Sequence, residues 1–369
     1  MKSYILLLKV LLISFTINAQ NDSVQYSFFV AGHTYGQPGV NNIGLHPPFK
    51  EKFGYIQSRS EIHFGVFTGD IVSTNPIAQD WDEVDADIDT LGLPVYFAVG
   101  NHDMENRPLF ENRYGDTYYH FIYENDLFII LDPNIDEWNI SGTQLEFLKN
   151  TIDSNYQSVE NIYVFFHQLL WWESDNIYKN IIPNSFAGRA DTINFWTEVE
   201  PLFHQLPNKI IMFAGDLGAG SWSDDVMYDL YDNISFVGSG MGEGIGDNFV
   251  IVNVKTDKTI DYDLICLNDS INCLGELTDY AISINFIDSF TNQNIKLYPN
   301  PANNFVTIEL EDINETIIQL YNINGQLILQ KITKGVNKVY IDLTSLTNGL
   351  YLVKITSKVN QNNIKLIVQ

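Results

Sequence analysis

Five apolar, strand-like runs, each stopping at a short polar loop, constrain this chain more than any other feature. Tyr26 to Val30 leads into Ala31-Gly32-His33-Thr34-Tyr35-Gly36, and Ile62 to Phe67 into Thr68-Gly69-Asp70. Val95 to Val99 leads into Gly100-Asn101-His102-Asp103, Ile162 to Phe166 into His167-Gln168, and Ile210 to Phe213 into Ala214-Gly215-Asp216. Strands so continuously apolar are buried on both faces, so helices or a second sheet must cover them. Ser141 to Leu148, with a capping-type start and helical apolar spacing, and Asp191 to Phe203 supply helical cover. The alternation predicts an α/β domain over residues 24–262, with its function at the carboxyl ends of the strands.

The chemistry gathers at those ends. His33, Asp70, Asn101, His167 and Asp216 each follow a buried run, and Gly precedes Asp70, Asn101 and Asp216. Glycine lets backbone approach a shared centre closely. One His or Asp at a strand end is ordinary turn chemistry, whereas five at equivalent ends point to a metal. Mixed N and O donors suit Zn, Mn or Fe better than Ca or Mg.

The blocks GHTYG, FTGDIV, AVGNHDM, FFHQ and FAGDLG, in that order, resemble the signature blocks of the calcineurin-like metallophosphoesterases. That resemblance implies a four-layer αββα sandwich around a dinuclear metal site. It implies that Asp70 bridges two metals, that Asn101 and His167 hold the second, and that a metal-bound hydroxide attacks phosphorus in line. His102 would protonate the leaving oxygen, and Asp103 would orient His102 by accepting its other ring proton.

Two departures weaken the first-metal position. Where the family reads Asp-x-His, this chain reads Ala31-Gly32-His33, and where it reads Gly-His-x-His, this chain has Gly215-Asp216-Leu217-Gly218. The first position keeps His33 and the shared Asp70, and the second keeps Asp70, Asn101, His167 and Asp216. Ligand count therefore predicts one firmly held ion, and Asp216 in place of an imidazole tilts it toward Mn, Fe(II) or Mg relative to Zn. Asp132, after another strand, and Glu243, in a Gly-rich loop, are candidates to rebuild the first position or reach a substrate. Tyr35 is a candidate substrate contact, and Trp171 and Trp172, just past His167, are candidates for a stacking wall. The expected activity is hydrolysis of a phosphomonoester or phosphodiester. The ligand deficit supports an alternative: a catalytically degenerate member that binds a carbohydrate or phosphorylated ligand at the cell surface.

The ends of the chain carry its addressing. Lys2 and the mostly apolar Ile5 to Ile17, closing on Ile17-Asn18-Ala19, read as an export signal over residues 1–19. No later run reaches the length of a membrane span, so none is expected after signal removal. Export places Cys266 and Cys273 where a disulfide can form, inside an expected linker over 263–293. From residue 294 short alternating runs and the Asn324-Gly325 turn predict a small all-β, immunoglobulin-like sandwich. Within it, LYPNPANN, IQLYNINGQLI and LTSLTNGLYLVKI resemble the type A C-terminal sorting domain of the type IX secretion system. This implies a partnership of residues 294–369 with that machinery, and a product released or attached at the cell surface. A formal charge of −26 repels nucleic-acid backbone, which argues against a duplex as partner.

Overall fold

The computed structural model describes residues 23–282, apart from 41, 205, 243 and 269, and residues 296–369, apart from 311–315, 323–326, 345 and 357–360. The expected export segment 1–19, Glu243 and the Asn324-Gly325 turn lie outside the described residues.

The first domain runs β1 (Val24–Ala31), α1 (Pro47–Glu51), α2 (Phe53–Ser58), β2 (Ile62–Thr68), α3 (Ala78–Leu91), β3 (Val95–Ala98), α4 (Asn101–Met104), α5 (Arg107–Tyr114), β4 (Tyr119–Tyr123) and β5 (Asp126–Ile130). It continues with α6 (Gly142–Asn155), β6 (Asn161–Phe166), α7 (Pro201–His204), β7 (Lys209–Ala214), β8 (Val226–Tyr231), β9 (Ile234–Ser239), β10 (Asn248–Lys255) and β11 (Ile260–Cys266). These strands form two mixed sheets, ordered β11-β10-β1-β2-β3 and β4-β5-β6-β7-β9-β8.

Alternation along each strand builds the layers. Phe28 and Val30 of β1 turn into the space between the sheets, where they meet Phe64, Val66, Phe128, Tyr163, Phe165 and Phe213. Phe29 and Ala31 turn the other way, under Phe49, Ile56, Trp81 and Val84 of α1 to α3. In the second sheet Ile129, Val164 and Phe166 face Leu148 and Ile152 of α6 and Phe195 and Phe203 near α7. Helix, sheet, sheet and helix therefore stack as an αββα sandwich. Phe28 sits at its middle, with ring centroids 5.3 Å from Phe64, 5.2 Å from Phe128 and 5.0 Å from Tyr163. Strand β3 ends its sheet, and the Tyr119 hydroxyl closes that edge by accepting from Phe97 N at 3.1 Å and donating to Phe97 O at 3.2 Å.

Three expectations shift. Strand β11 runs to Cys266, Leu277 and Ala281 join the inter-sheet core, and Cys266 is disulfide-bonded to Cys273, so residues 263–282 belong to the layered domain rather than to a linker. The helix expected over Asp191 to Phe203 is shorter. Phe195–Val199 is a π-helical turn, and the Asn194 side chain is used to hold Ile140 N at 3.1 Å and Ile140 O at 2.8 Å. Ser141 occupies the N-cap of α6, but its hydroxyl turns to Asp136 instead of to the helix.

The tail comprises β12 (Lys296–Tyr298), β13 (Phe305–Glu309), β14 (Thr316–Asn322), β15 (Leu327–Thr333), β16 (Lys338–Asp342), β17 (Gly349–Thr356) and β18 (Gln361–Val368). Sheets β12-β13-β16 and β15-β14-β17-β18 bury Val306, Ile308, Ile318, Leu320, Ile341 and Val353 between them. Among the described residues no helix is long and apolar enough to cross a membrane.

Candidate metal centre

The loops after β1, β2, β3, β6 and β7 meet at one end of the sandwich, laced backbone to backbone. His33 N donates to Gly69 O at 3.0 Å, Tyr35 N to Asp70 O at 3.2 Å, and Asp216 N to His167 O at 3.0 Å. His33 and Asp70 adopt φ of 54° and 48°. A non-glycine residue there costs about 1–2 kcal/mol, strain that persists where surrounding structure enforces it, commonly at working sites. Two glycines make the approach possible. A Cβ on Gly69, φ 83°, would lie 2.5 Å from the His167 ring, and one on Gly100 would lie 2.1 Å from Asp70 N.

Two imidazoles are fixed in the same way. His33 Nδ1 lies 2.8 Å from Met241 O, and His167 Nδ1 lies 2.8 Å from Thr68 O. A carbonyl only accepts, so each Nδ1 carries hydrogen and each Nε2 is turned inward. His33 Nε2 is 3.9 Å, His102 Nε2 3.8 Å and His167 Nε2 3.3 Å from the same atom, Asp70 Oδ2. His167 Nε2 is also 3.6 Å from Asp216 Oδ1. His33, Asp70, His167 and Asp216 are all buried.

These residues fit a cation. Ligand atoms of Asp70, His167 and Asp216 lie within 4.8 Å of one another. Ligands on one ion at ~2.1 Å stand roughly 3.0–3.4 Å apart at right-angle to tetrahedral spacing, close to the separations around His167. Among the described residues His167 Nε2 and Asp216 Oδ2 are buried and find no hydrogen-bond partner, an arrangement that costs energy unless something else satisfies them. Electrostatics agree. Burial opposes charge on His167, yet Asp70 and Asp216 push its pKa up to about 10. Burial, with Asp70 adding repulsion, pushes Asp216 up to about 8 against the pull of His167. Asp70 is held well below the usual carboxylate range, despite burial, by His167, His102 and His33. Burial pulls His33 down to about 4. Two buried carboxylates thus compete for positive charge, which a divalent ion would supply.

Asn101 opens α4 beside Gly100, and among the described residues its amide makes no side-chain hydrogen bond. His102 follows, its backbone N donating to Asp70 Oδ1 at 3.0 Å and its side chain 21% exposed. Asp103 does not orient the His102 ring. Its carboxylate accepts from Gly100 N at 2.8 Å, Ile71 N at 2.9 Å and Val72 N at 3.1 Å, tying the loop after β2 to α4, while His102 Nδ1 has no partner among the described residues. Three backbone donors at short range outcompete a ring across the helix turn.

Of the two rebuilding candidates, Glu243 lies outside the described residues, and Asp132 is engaged elsewhere. Asp132 is buried, with Oδ2 2.7 Å from Arg107 Nη1 and Oδ1 accepting from Asn134 N at 3.0 Å, so an ion pair and a turn consume it. Trp171 is a core residue, 0% exposed and stacked on Phe236 at 4.7 Å, with Nε1 directed at Met227 Sδ. Trp172 is half-buried against Phe186 at 4.4 Å, under the Arg189 guanidinium. Trp171, enclosed in the core, presents no face to a ligand. A side chain at Gly218, φ 74°, would meet Gly240 C at 2.7 Å and O at 2.8 Å, so backbone occupies the route an imidazole would take.

Sequence reasoning missed the supports. Met241 O is a backbone atom with no sequence signal. Asn184 donates from its N to Asp216 O at 2.9 Å and from Nδ2 to Leu217 O at 3.1 Å, and its Oδ1 accepts from Ala219 N at 2.8 Å. Gln168, directly after His167, offered a signal. Its Nε2 donates to Asn134 Oδ1 at 2.6 Å, and Asn134 Nδ2 donates to Val99 O at 3.2 Å, bracing the loops after β3 and β6.

Residues 33–194 match the family model of the calcineurin-like phosphoesterases, a span holding His33, Asp70, Asn101, His102 and His167 but ending before Asp216. Residues 296–369 match the secretion system C-terminal sorting domain, which implies engagement of the type IX machinery and export across the outer membrane. No curated protein matches. Among solved structures, a Staphylococcus aureus protein described as a 5'-nucleotidase is similar at TM-score 0.37 and 10% identity, covering 66% of this chain and 55% of that one. A Bacteroides vulgatus DUF3244 family protein with an immunoglobulin-like β-sandwich fold is similar at TM-score 0.17 and 11% identity, covering 20% of this chain and 83% of that one. Residues 33–194 thus resemble the calcineurin-like phosphoesterases, and residues 296–369 the secretion system C-terminal sorting domain.

Proposed function

We propose that the protein is an exported hydrolase of phosphomonoesters or phosphodiesters that works with one firmly held Mn, Fe or Zn ion. The observation that carries this reading is the convergence of three imidazole Nε2 atoms on Asp70 Oδ2, two of them fixed by backbone carbonyls. Asp70, Asn101, His167 and Asp216 would hold the ion, and His33 with Asp70 would offer a second, weaker position. When bound, the ion supplies Lewis acidity toward the phosphoryl oxygens and makes water nucleophilic near neutral pH. His102, whose side chain is 21% exposed while those of His33 and His167 are buried, faces the ester and protonates the leaving oxygen. Asp103 keeps Gly100 to His102 in place against Asp70 through its three backbone acceptor contacts. After export the protein is released or held at the cell surface.

The ligand-poor side formed by Ala31 and Gly218 favours a second reading, a fold retained for binding alone. Purified protein assayed with aryl phosphate mono- and diesters separates the two. Turnover that needs added Mn, Fe or Zn and disappears in His102→Ala supports the enzyme. Metal uptake without hydrolysis of any ester supports the binding protein.

A further inference from the structure

We infer that the Tyr35 hydroxyl contacts the phosphoryl group directly, supplying from a side chain the electrophilic contact that a first metal would otherwise give. The inference rests on the phosphate-ester reading above and adds a residue to it. Tyr35 is only 5% exposed, and among the described residues its hydroxyl makes no hydrogen bond to protein, yet it is not one of the fully enclosed polar atoms, so it stays open to a ligand. The ring is held on three sides of the candidate centre. Its centroid is 4.3 Å from His33, it stacks on His102 at 5.3 Å with planes 23° apart, and its backbone N donates to Asp70 O at 3.2 Å. The phenol lies in the field of Asp70 and Asp216, the two carboxylates of the ligand cluster.

The position matters because of what surrounds it. Ala31 brings no donor, and Gly240 backbone closes the route from Gly218, so His33 and Asp70 alone remain from the first-metal set. A phosphoryl group bound at one ion beside His102 leaves an oxygen on this side that needs compensating charge or a donor. Among the described residues, Tyr35 is an aromatic ring packed against both His33 and His102. A neutral hydroxyl next to carboxylates is a donor, and donors aimed at developing charge need no reorganisation during reaction.

The test compares wild type with Tyr35→Phe, which keeps the ring packing, using the full secreted chain loaded with Mn. Three quantities are read: metal ions per chain, affinity for inorganic phosphate, and kcat and KM for an aryl phosphate. The expected result is unchanged metal content and a melting temperature within about 2 °C, with phosphate affinity and kcat/KM each lowered about 10- to 100-fold, the size of a lost hydrogen bond to a charged group. If neither protein hydrolyses the ester but phosphate affinity still falls on substitution, the Tyr35 contact stands and the hydrolase reading fails. If wild type hydrolyses and the variant matches it in phosphate affinity and kcat/KM, the Tyr35 contact is overturned and the hydrolase reading survives. If the variant loses metal, Tyr35 is a ligand to the ion and the proposal is also overturned.

Discussion

Replacing Gly69 by alanine perturbs the centre without removing any candidate ligand, so it tests whether packing there is functional. Gly69 has φ 83°, and an added Cβ would stand 2.5 Å from Cγ and Nδ1 of His167. Carbon contacts settle at about 3.5–4.0 Å, so the ring or the backbone must move by roughly 1 Å. His167 cannot yield freely, because it is 0% exposed and its Nδ1 is held by Thr68 O at 2.8 Å. The left-handed backbone adds about 1–2 kcal/mol and overpacking about 1–3 kcal/mol, so Gly69→Ala should cost about 2–5 kcal/mol. A domain stable by about 5–15 kcal/mol tolerates that loss and stays folded. Metal affinity should fall about 10- to 100-fold, as when a partner orienting a ligand is disturbed. Tryptophan fluorescence in urea gives the stability change, since all 6 tryptophans precede the sorting tail, and calorimetric Mn titration gives affinity. A variant destabilised as expected but binding Mn as well as wild type would show that His167 is no ligand, and the reasoning would fail.

Further expectations follow from other contacts. Phe28→Ala should destabilise the first domain by about 3–5 kcal/mol, because its ring fills the space between the sheets, and urea unfolding measures it. Raised pKa values of about 10 at His167 and about 8 at Asp216 mean that the ion-free site holds protons at pH 7, so Mn binding should release more than one proton per ion, read by titration in buffers of different ionisation enthalpy. The same shifts give the sign for stability. The ion-free protein should lose stability as pH rises from about 4 through about 8 on account of Asp216 and from 6.5 through about 10 on account of His167, and Mn should remove that dependence. Gly218→His should leave metal content unchanged, because Gly240 backbone blocks the side chain, and elemental analysis checks it. Breaking Cys266–Cys273, whose sequence separation is 7, should cost about 2.5 kcal/mol by loop entropy, measured as a shift in urea midpoint for Cys273→Ser.

The strands that carry the centre were legible because β1, β2, β3, β6 and β7 are apolar on both faces and end at polar residues. Strands such as β4, with alternating half-buried and exposed positions at the sheet edge, left a weaker signature. The convergence of His33, Asp70, His167 and Asp216 was readable from residue type and order. Roles that depend on competition between partners were not readable. Asp103 chose three backbone N–H groups over the adjacent imidazole, and Asp132 was taken by Arg107. Trp171 followed His167 in sequence but points into the core, because the chain turns immediately after β6. Supports from Met241 O and the Asn184 loop arrive from distant segments and leave no local pattern.

The most direct measurement is anomalous diffraction from crystals grown with Mn. Placement of one strong peak about 2.0–2.3 Å from Asp70 Oδ2, His167 Nε2 and an Asp216 carboxylate oxygen, with Asn101 at bonding distance, is the predicted result. Density for Mn elsewhere in the molecule, or none beside those side chains at saturating metal, would contradict the account.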